Sequence, residues 1–273
     1  MIMKYLIALA ALPALLFSPP GLAAAPHEEA PIKTRAYSTP ALLFALRTDT
    51  QTLARLTPVL DPSFDFVPGP REDARQGNGY RHLGDLALTV RTGNGAERTY
   101  TSFEARRPIH ILPAGRALAA ADISASMGAE MGASVPLAVE RRWLNERGTL
   151  VLRFTLINRD RQPVQVVSAS MPMVFEQQGF GASAKERQAS SSTVKPRPGA
   201  PGSVEVARAN GQPPALRLQP DGRTPLDSWQ AMPGGQLQGE QYASWVTSGF
   251  TLKPGAKRDI GVRFVIQPQG ATR

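Results

Sequence analysis

The densest gathering of reactive side-chain types in this chain is Gln76-Gly77-Asn78-Gly79-Tyr80-Arg81-His82-Leu83-Gly84-Asp85. It offers amides, a phenol, a cation, an imidazole and a carboxylate, punctuated by glycines and followed by an alternating apolar stretch. Glycine at this density predicts a loop. Asn78, Arg81, His82 and Asp85 could together touch a polar ligand or a neighbouring domain. A plain structural reading competes with this one. Asn and Asp side chains readily accept loop amides, so Asp85 or Asn78 would hold a tight turn while His82 packs inside. Trp143, Trp229 and Trp245 could offer flat faces to a sugar ring. Trp143 closes a strand that reads as core, whereas Trp229 sits in the Pro- and Gly-rich stretch 224–239 and is the candidate platform.

Other chemistry is scarce. Nucleophilic hydrolysis by serine needs a base and an exposed elbow, and no G-x-S-x-G occurs. There is also no H-E-x-x-H, no phosphate-binding P-loop, no G-x-G-x-x-G opening a helix and no EF-hand loop. The acids nearest strand-like segments are Asp61, Asp65, Asp85, Glu140, Glu176, Asp227 and Glu240. Their spacing singles out no pair for glycoside hydrolysis. Cysteine is absent and the histidines are three, His27, His82 and His110. Disulfide frameworks, zinc knuckles, iron–sulfur clusters and thiol nucleophiles are thereby excluded, and neither a histidine-rich metal centre nor any cofactor is expected.

The elements that must position these residues follow an export address. Lys4, the apolar stretch Tyr5–Phe17 and the breaker Ser18-Pro19-Pro20-Gly21 before small residues make 1–25 read as a secretory signal peptide. The apolar stretch is shorter than the roughly 20 residues a bilayer span needs, and Pro13 interrupts it. A periplasmic or secreted mature protein, with no membrane contact, is the expectation. Removing residues 1–23 takes away one lysine and no acid, leaving a net charge of +8. The arginines are scattered in ones and twos without aromatic interleaving, which speaks against nucleic acid as a partner.

After a polar leader, 26–40, apolar residues alternate with period two again and again. Leu86, Leu88 and Val90 face one way; Leu150, Leu152, Phe154 and Leu156 do so in 149–158; Ile260, Val262, Phe264 and Ile266 do so in 259–266. Further strands are expected at 42–46, 98–103, 109–112, 117–123, 137–144, 164–169 and 241–251. Ile109 and Ile111 should look inward with His110 outward. Turn signals at 92–95, 145–148 and 158–163 should join consecutive antiparallel strands. Nothing after Pro26 holds a 3.6-residue period beyond a turn of helix within 124–134. The fold class is all-β, a large antiparallel sandwich. The stretch 181–214 has Gly, Pro or Ser at 14 of 34 positions and reads as a flexible insertion in the one domain 41–267. Residues 268–273 read as a linker or frayed end.

An ordered string of motifs carries a family resemblance: Ser63-Phe64-Asp65-Phe66-Val67-Pro68, Arg81-His82-Leu83-Gly84-Asp85 with Leu86-Ala87-Leu88-Thr89-Val90-Arg91, Ala120-Ala121-Asp122-Ile123, Leu137-Ala138-Val139-Glu140-Arg141-Arg142-Trp143, and Leu156-Ile157-Asn158 running on to Met171-Pro172-Met173. These residues resemble the N-terminal β-supersandwich of bacterial six-hairpin glycosidase-like proteins, among them the family DUF5695, over Ala41 to Gln267. The resemblance implies a galactose mutarotase-like fold that packs beside a helical (α/α)6 barrel. In similar proteins the catalytic carboxylates belong to that barrel, so no catalytic residue carries over to this chain. A non-catalytic sandwich domain of an exported glycoside-hydrolase-like protein is therefore expected, with the Asn78–Asp85 loop lent to the barrel's cleft. A free-standing carbohydrate-binding protein and a mutarotase- or epimerase-like enzyme, with His82 or His110 as its acid, are the alternatives.

Overall fold

The period-two residues form strands because a pleated backbone sends successive side chains to opposite faces, so each alternating run buries one row. A computed structural model describes residues 33–67, 79–104, 107–128, 132–175, 192–197, 199–200, 202–222, 226–232, 241–247 and 249–267. Strands β1 (Thr34–Ser38), β2 (Leu42–Arg47) and β3 (Leu53–Pro58) make a three-stranded sheet in that order. Strands β4 (Ala87–Thr92) and β5 (Arg98–Thr101) belong to a six-stranded sheet, and β6 (His110–Ile111), β7 (Ala117–Asp122), β8 (Ala138–Glu146) and β9 (Thr149–Ile157) to an eight-stranded one. The chain then returns to the six-stranded sheet with β10 (Val164–Phe175). It adds β11 (Ser192–Pro196), β12 (Val204–Arg208) and β13 (Ala215–Pro220) to the eight-stranded sheet. Strands β14 (Leu226–Met232), β15 (Gln241–Thr247) and β16 (Phe250–Leu252) go to the six-stranded sheet, and β17 (Lys257–Gln267) goes back to the eight. The larger sheet runs β11-β12-β13-β17-β9-β8-β7-β6, and the other β14-β15-β10-β4-β5 with β16 on β10. The pairings are antiparallel. The molecule is an antiparallel β-sandwich, and Ile32–Arg273 is one compact unit.

Register explains the core. Leu150, Leu152 and Phe154 of β9 face Phe264, Val262 and Ile260 of β17, and Leu152 faces Trp143 of β8 on its other side. All seven are buried, and each such side chain contributes about 1.5–3 kcal/mol relative to exposure. Phe44 on β2 lies 6.3 Å from the Trp143 ring, joining the small sheet to the same cluster. The β8–β9 hairpin turns through Arg147 and Gly148, both at positive φ (52° and 84°), the conformation a two-residue hairpin with right-twisted strands demands.

Four expectations need correction. First, the leader 26–40 contributes β1, which pairs along its whole length with β2. Its largely exposed side chains leave no apolar signal. Second, the described part of 181–214 holds β11 and β12 instead of a flexible insertion. Val204 and Val206 of β12, too few to stand out among prolines and glycines, are fully buried in the core from within the eight-stranded sheet. Third, 158–163 does not join paired neighbours but carries the chain from β9 in one sheet to β10 in the other. Fourth, β6 is a two-residue strand at the edge of the eight-stranded sheet with His110 and Ile111 both exposed; Ile109 is only partly buried. The helical turn within 124–134 is a 3-10 turn at Ser124–Ser126.

Candidate functional site

The loop that precedes β4 is anchored at almost every residue. The Gly79 N–H donates to the Phe103 carbonyl at 2.6 Å, and the Leu83 carbonyl accepts the Leu53 N–H at 2.8 Å, extending the edge of β3. Arg81 lays its guanidinium 5.1 Å from the centre of the Phe103 ring. Gly84 has φ +106° and packs so closely that a Cβ there would meet Trp143 Cζ2 at 3.0 Å and Thr52 Cα at 3.4 Å. Glycine answers both demands at once.

Asp85, only 1% exposed, accepts the His82 N–H on Oδ2 at 2.8 Å and the Ser102 hydroxyl on Oδ1 at 2.7 Å. Ser102 Oγ in turn accepts the Leu86 N–H at 3.0 Å. His82 is equally buried. Below the loop, Arg141 points into the core from β8, on the same face as Val139 and Trp143, and its Nη1 donates to the Gly84 carbonyl at 2.6 Å. Trp143 Nε1 donates to the Gln51 carbonyl at 2.9 Å. Gln51 itself sits at φ 53°, and its side-chain amide reaches the Ala120 carbonyl at 3.4 Å. The loop is thus a junction at which the three-stranded, six-stranded and eight-stranded sheets are hydrogen-bonded to one another.

Thr50, Asp85, Ser102, Ile109, Ile123, Ser126 and Arg141 line a cavity of about 10 Å³. One water needs about that much room; a sugar ring needs many times more. His82 and Asp85 sit almost fully buried in a packed polar interior. His110, exposed on β6, stands apart on an edge strand. Asn78 lies outside the described residues. Trp229 lies on β14 opposite Trp245 of β15 in the pairing register.

The acids fall to structural partners. Asp61 pairs with Arg208 and also accepts the Ser63 hydroxyl at 2.5 Å. Asp65 accepts the N–H groups of Leu56 and Val67 at 2.9 and 3.0 Å, and Glu140 pairs with Arg142 at 2.8 Å. Glu176 and Glu240 lie outside the described residues, and Asp227 is on β14.

A charge quartet that no sequence spacing foretells spans β8, β9, β17 and the end of β13. Arg153 Nη2 reaches Glu146 Oε1 at 2.8 Å and Asp221 Oδ2 at 2.5 Å, while Arg263 Nη1 reaches Glu146 Oε2 at 2.9 Å and Asp221 Oδ1 at 3.3 Å. Burial alone would raise the Glu146 carboxyl, but hydrogen bonds from Arg263 and Arg153 and their charges hold it below its ordinary value. Burial likewise disfavours charge on Arg153, yet Asp221 and then Glu146 leave it more firmly protonated than usual. Each carboxylate is clamped between two guanidiniums, and the lowered Glu146 value favours its charged form over the protonated one that donates in glycosidic cleavage or anomerisation. Among the described residues no cluster of three or more His, Asp or Glu side chains could hold a metal.

The fold has known relatives. It superposes on a polysaccharide lyase with a TM-score of 0.63 at 14% identity, covering 85% of this chain and 33% of the lyase. This chain thus corresponds to about a third of that protein's length. A galactose mutarotase-like protein from Lactobacillus casei ATCC 334 gives a TM-score of 0.54 at 11% identity, over 86% of this chain and 100% of the other. A candidate aldose 1-epimerase from Escherichia coli K12 gives 0.53 at 7% identity, over 87% and 99%. At such identities the likeness shows the galactose mutarotase-like sandwich fold alone. No curated protein matches in sequence. The ordered motifs over the sandwich agree with a family model of unknown function that matches residues 45–252, and the chain belongs to that family, DUF5695.

Proposed function

We propose that this chain is an exported, non-catalytic sandwich domain that supports a glycan-acting catalytic domain in a longer protein. One observation carries the reading: the sandwich that makes up 85% of this chain is matched by only 33% of the polysaccharide lyase, so there the fold is one part of a larger molecule. Two features support it. His82 and Asp85 are buried, with Asp85 hydrogen-bonded to the His82 N–H and Ser102, and the carboxylates Glu146 and Asp221 are held between arginines. A helical barrel of the six-hairpin type is the partner implied by the family resemblance, and the segment 1–25 supports export to the periplasm or beyond. The test is to read the gene past the codon for Arg273 and to assay both forms. Several hundred further residues of helical pattern, with glycan cleavage confined to the longer protein, support the reading. A stop codon directly after Arg273 in an intact gene overturns it.

A free-standing sugar-binding or mutarotase-like protein is favoured by a different observation. The Lactobacillus and Escherichia coli relatives are covered over 100% and 99% of their length, so a sandwich of this extent can be a whole protein. Faster anomerisation of an aldose on adding the purified chain, or a saturable fluorescence change with a free sugar, would establish that alternative.

A further inference from the structure

Three loops meet at one end of the sandwich, and the fold gathers there cations that are far apart in sequence. The loops are 91–98 between β4 and β5, 158–163 between β9 and β10, and 253–258 at the start of β17. Register brings them together: Val164 pairs with both Thr92 and Leu252, and Ile157 pairs with Lys257. Asn158, fully buried, knots two of them. Its side-chain amide donates to the Gln162 and Leu252 carbonyls at 2.8 and 2.9 Å, its Oδ1 accepts the Asp160 N–H at 2.8 Å, and its backbone exchanges bonds with Ala256 and Gly255. Gln162 reaches across to the third, its Oε1 3.5 Å from where a Cβ on Gly93 would stand.

These loops carry seven cations, Arg91, Arg98, Arg159, Arg161, Lys253, Lys257 and Arg258, against Glu97 and Asp160. Arg91 is paired with Glu97, and Arg258 lies 4.3 Å over the Phe250 ring. Arg159, Arg161, Lys253 and Lys257 are exposed, and no ion pair is formed by any of the four among the described residues. Like charges held together on a knotted base repel one another, and a polyanion relieves that repulsion while releasing its counterions.

We propose that this loop cluster binds an acidic polysaccharide through the carboxylates of successive uronate sugars. The preference for a polyanion rests on the charge alone, and the choice of a sugar polymer rests on the glycan reading above. The surface itself argues against two rivals. Base stacking needs exposed aromatic platforms, and the described loops 91–98, 158–163 and 253–258 contain none; membrane insertion needs exposed apolar side chains, and those loops are almost wholly polar, Pro, Gly or Ala.

Polygalacturonate, uncharged dextran, single-stranded DNA and phosphatidylserine vesicles are titrated against the full chain and against a Lys253→Glu/Lys257→Glu variant. An Arg116→Glu/Arg147→Glu variant makes the same change of net charge at the far end of β8 and β9. The expected result is polygalacturonate binding that weakens steeply with salt, falls about tenfold or more in the Lys253/Lys257 variant and changes little in the control. Failure to bind polygalacturonate at low salt overturns the proposal, as does equal loss in both variants. Tighter binding to DNA or to vesicles overturns the choice of a glycan and counts against the glycan reading too. Binding of dextran that both variants retain overturns this site but leaves that reading standing.

Discussion

Ser102 donates its hydroxyl to Asp85 at 2.7 Å while its oxygen accepts the Leu86 N–H at 3.0 Å, so one serine beyond β5 fixes both the loop and the first turn of β4. The carboxylate at the other end of that bond is buried and holds the His82 N–H as well. Removing either partner strands the other. Asp85→Ala is expected to cost about 2–4 kcal/mol, as two buried hydrogen bonds are lost and their donors stranded, and Ser102→Ala about 1–2 kcal/mol. Urea midpoints at constant m-value check both. The double variant should cost less than the sum of the two, since they share a bond.

Gly84→Ala adds a methyl at φ +106° into contact with the Trp143 ring and the Thr52 backbone. Neither neighbour can move freely in the core, so a loss of about 1–3 kcal/mol is expected. Trp143→Phe removes the Gln51 hydrogen bond and part of the ring volume. It should cost about 2–3 kcal/mol and remove the blue-shifted emission of a fully buried indole. Fluorescence-monitored denaturation reads both quantities.

Asn158→Ala leaves the Leu252 and Gln162 carbonyls and the Asp160 N–H without their side-chain partner. The expected cost is about 2–4 kcal/mol. Asn158→Asp keeps the acceptor for Asp160 but turns a carboxylate oxygen toward two carbonyls, and at neutral pH it should be the worse of the two. Amide exchange in 158–163 and 253–257 should quicken in both variants, which thermal melting alone would not reveal.

The quartet of Arg153, Arg263, Glu146 and Asp221 makes stability depend on acid. Glu146 has a folded-state pKa below its ordinary value of 4.5. The unfolded chain therefore takes up its proton first as pH falls. The stabilisation is complete above about pH 4.5 and is lost as pH drops through the lowered folded value. Urea midpoints should fall over that window, and Arg263→Gln should flatten the Glu146 contribution. A midpoint indifferent to pH between 5 and 3 would contradict this account.

Strands with a clean alternating face were readable from the sequence, because β9 and β17 bury one row of large aliphatics each. Strands β1, β3, β11, β12, β13 and β14 left no comparable trace. They are short or polar, and β13 gains its second neighbour only from β17, where Leu216 pairs with Ile266. The loop at 79–85 was visible as a loop, and Asp85 as an acceptor of loop amides was one of its two readings. Arg141 escaped notice: in the run Glu140-Arg141-Arg142 it looks like a solvent cation, although its period-two relation to Val139 and Trp143 already sets it inward. The Glu146–Asp221 quartet and the basic end could not be read at all, since both are assembled by register between distant strands.

β17 has a further consequence. It lies in the middle of the eight-stranded sheet, between β13 and β9, and bonds across a gap of 104 residues where Thr155 meets Asp259. Until it arrives, the sheet exists as two halves, β6–β9 and β11–β13, each with an open edge. Closing so long a loop is slow compared with forming local hairpins, so the sheet stays incomplete until the last described strand has been made. Such a sheet is unfinished while the chain is being synthesised, and β17 is the step at which its two halves become one cooperative unit.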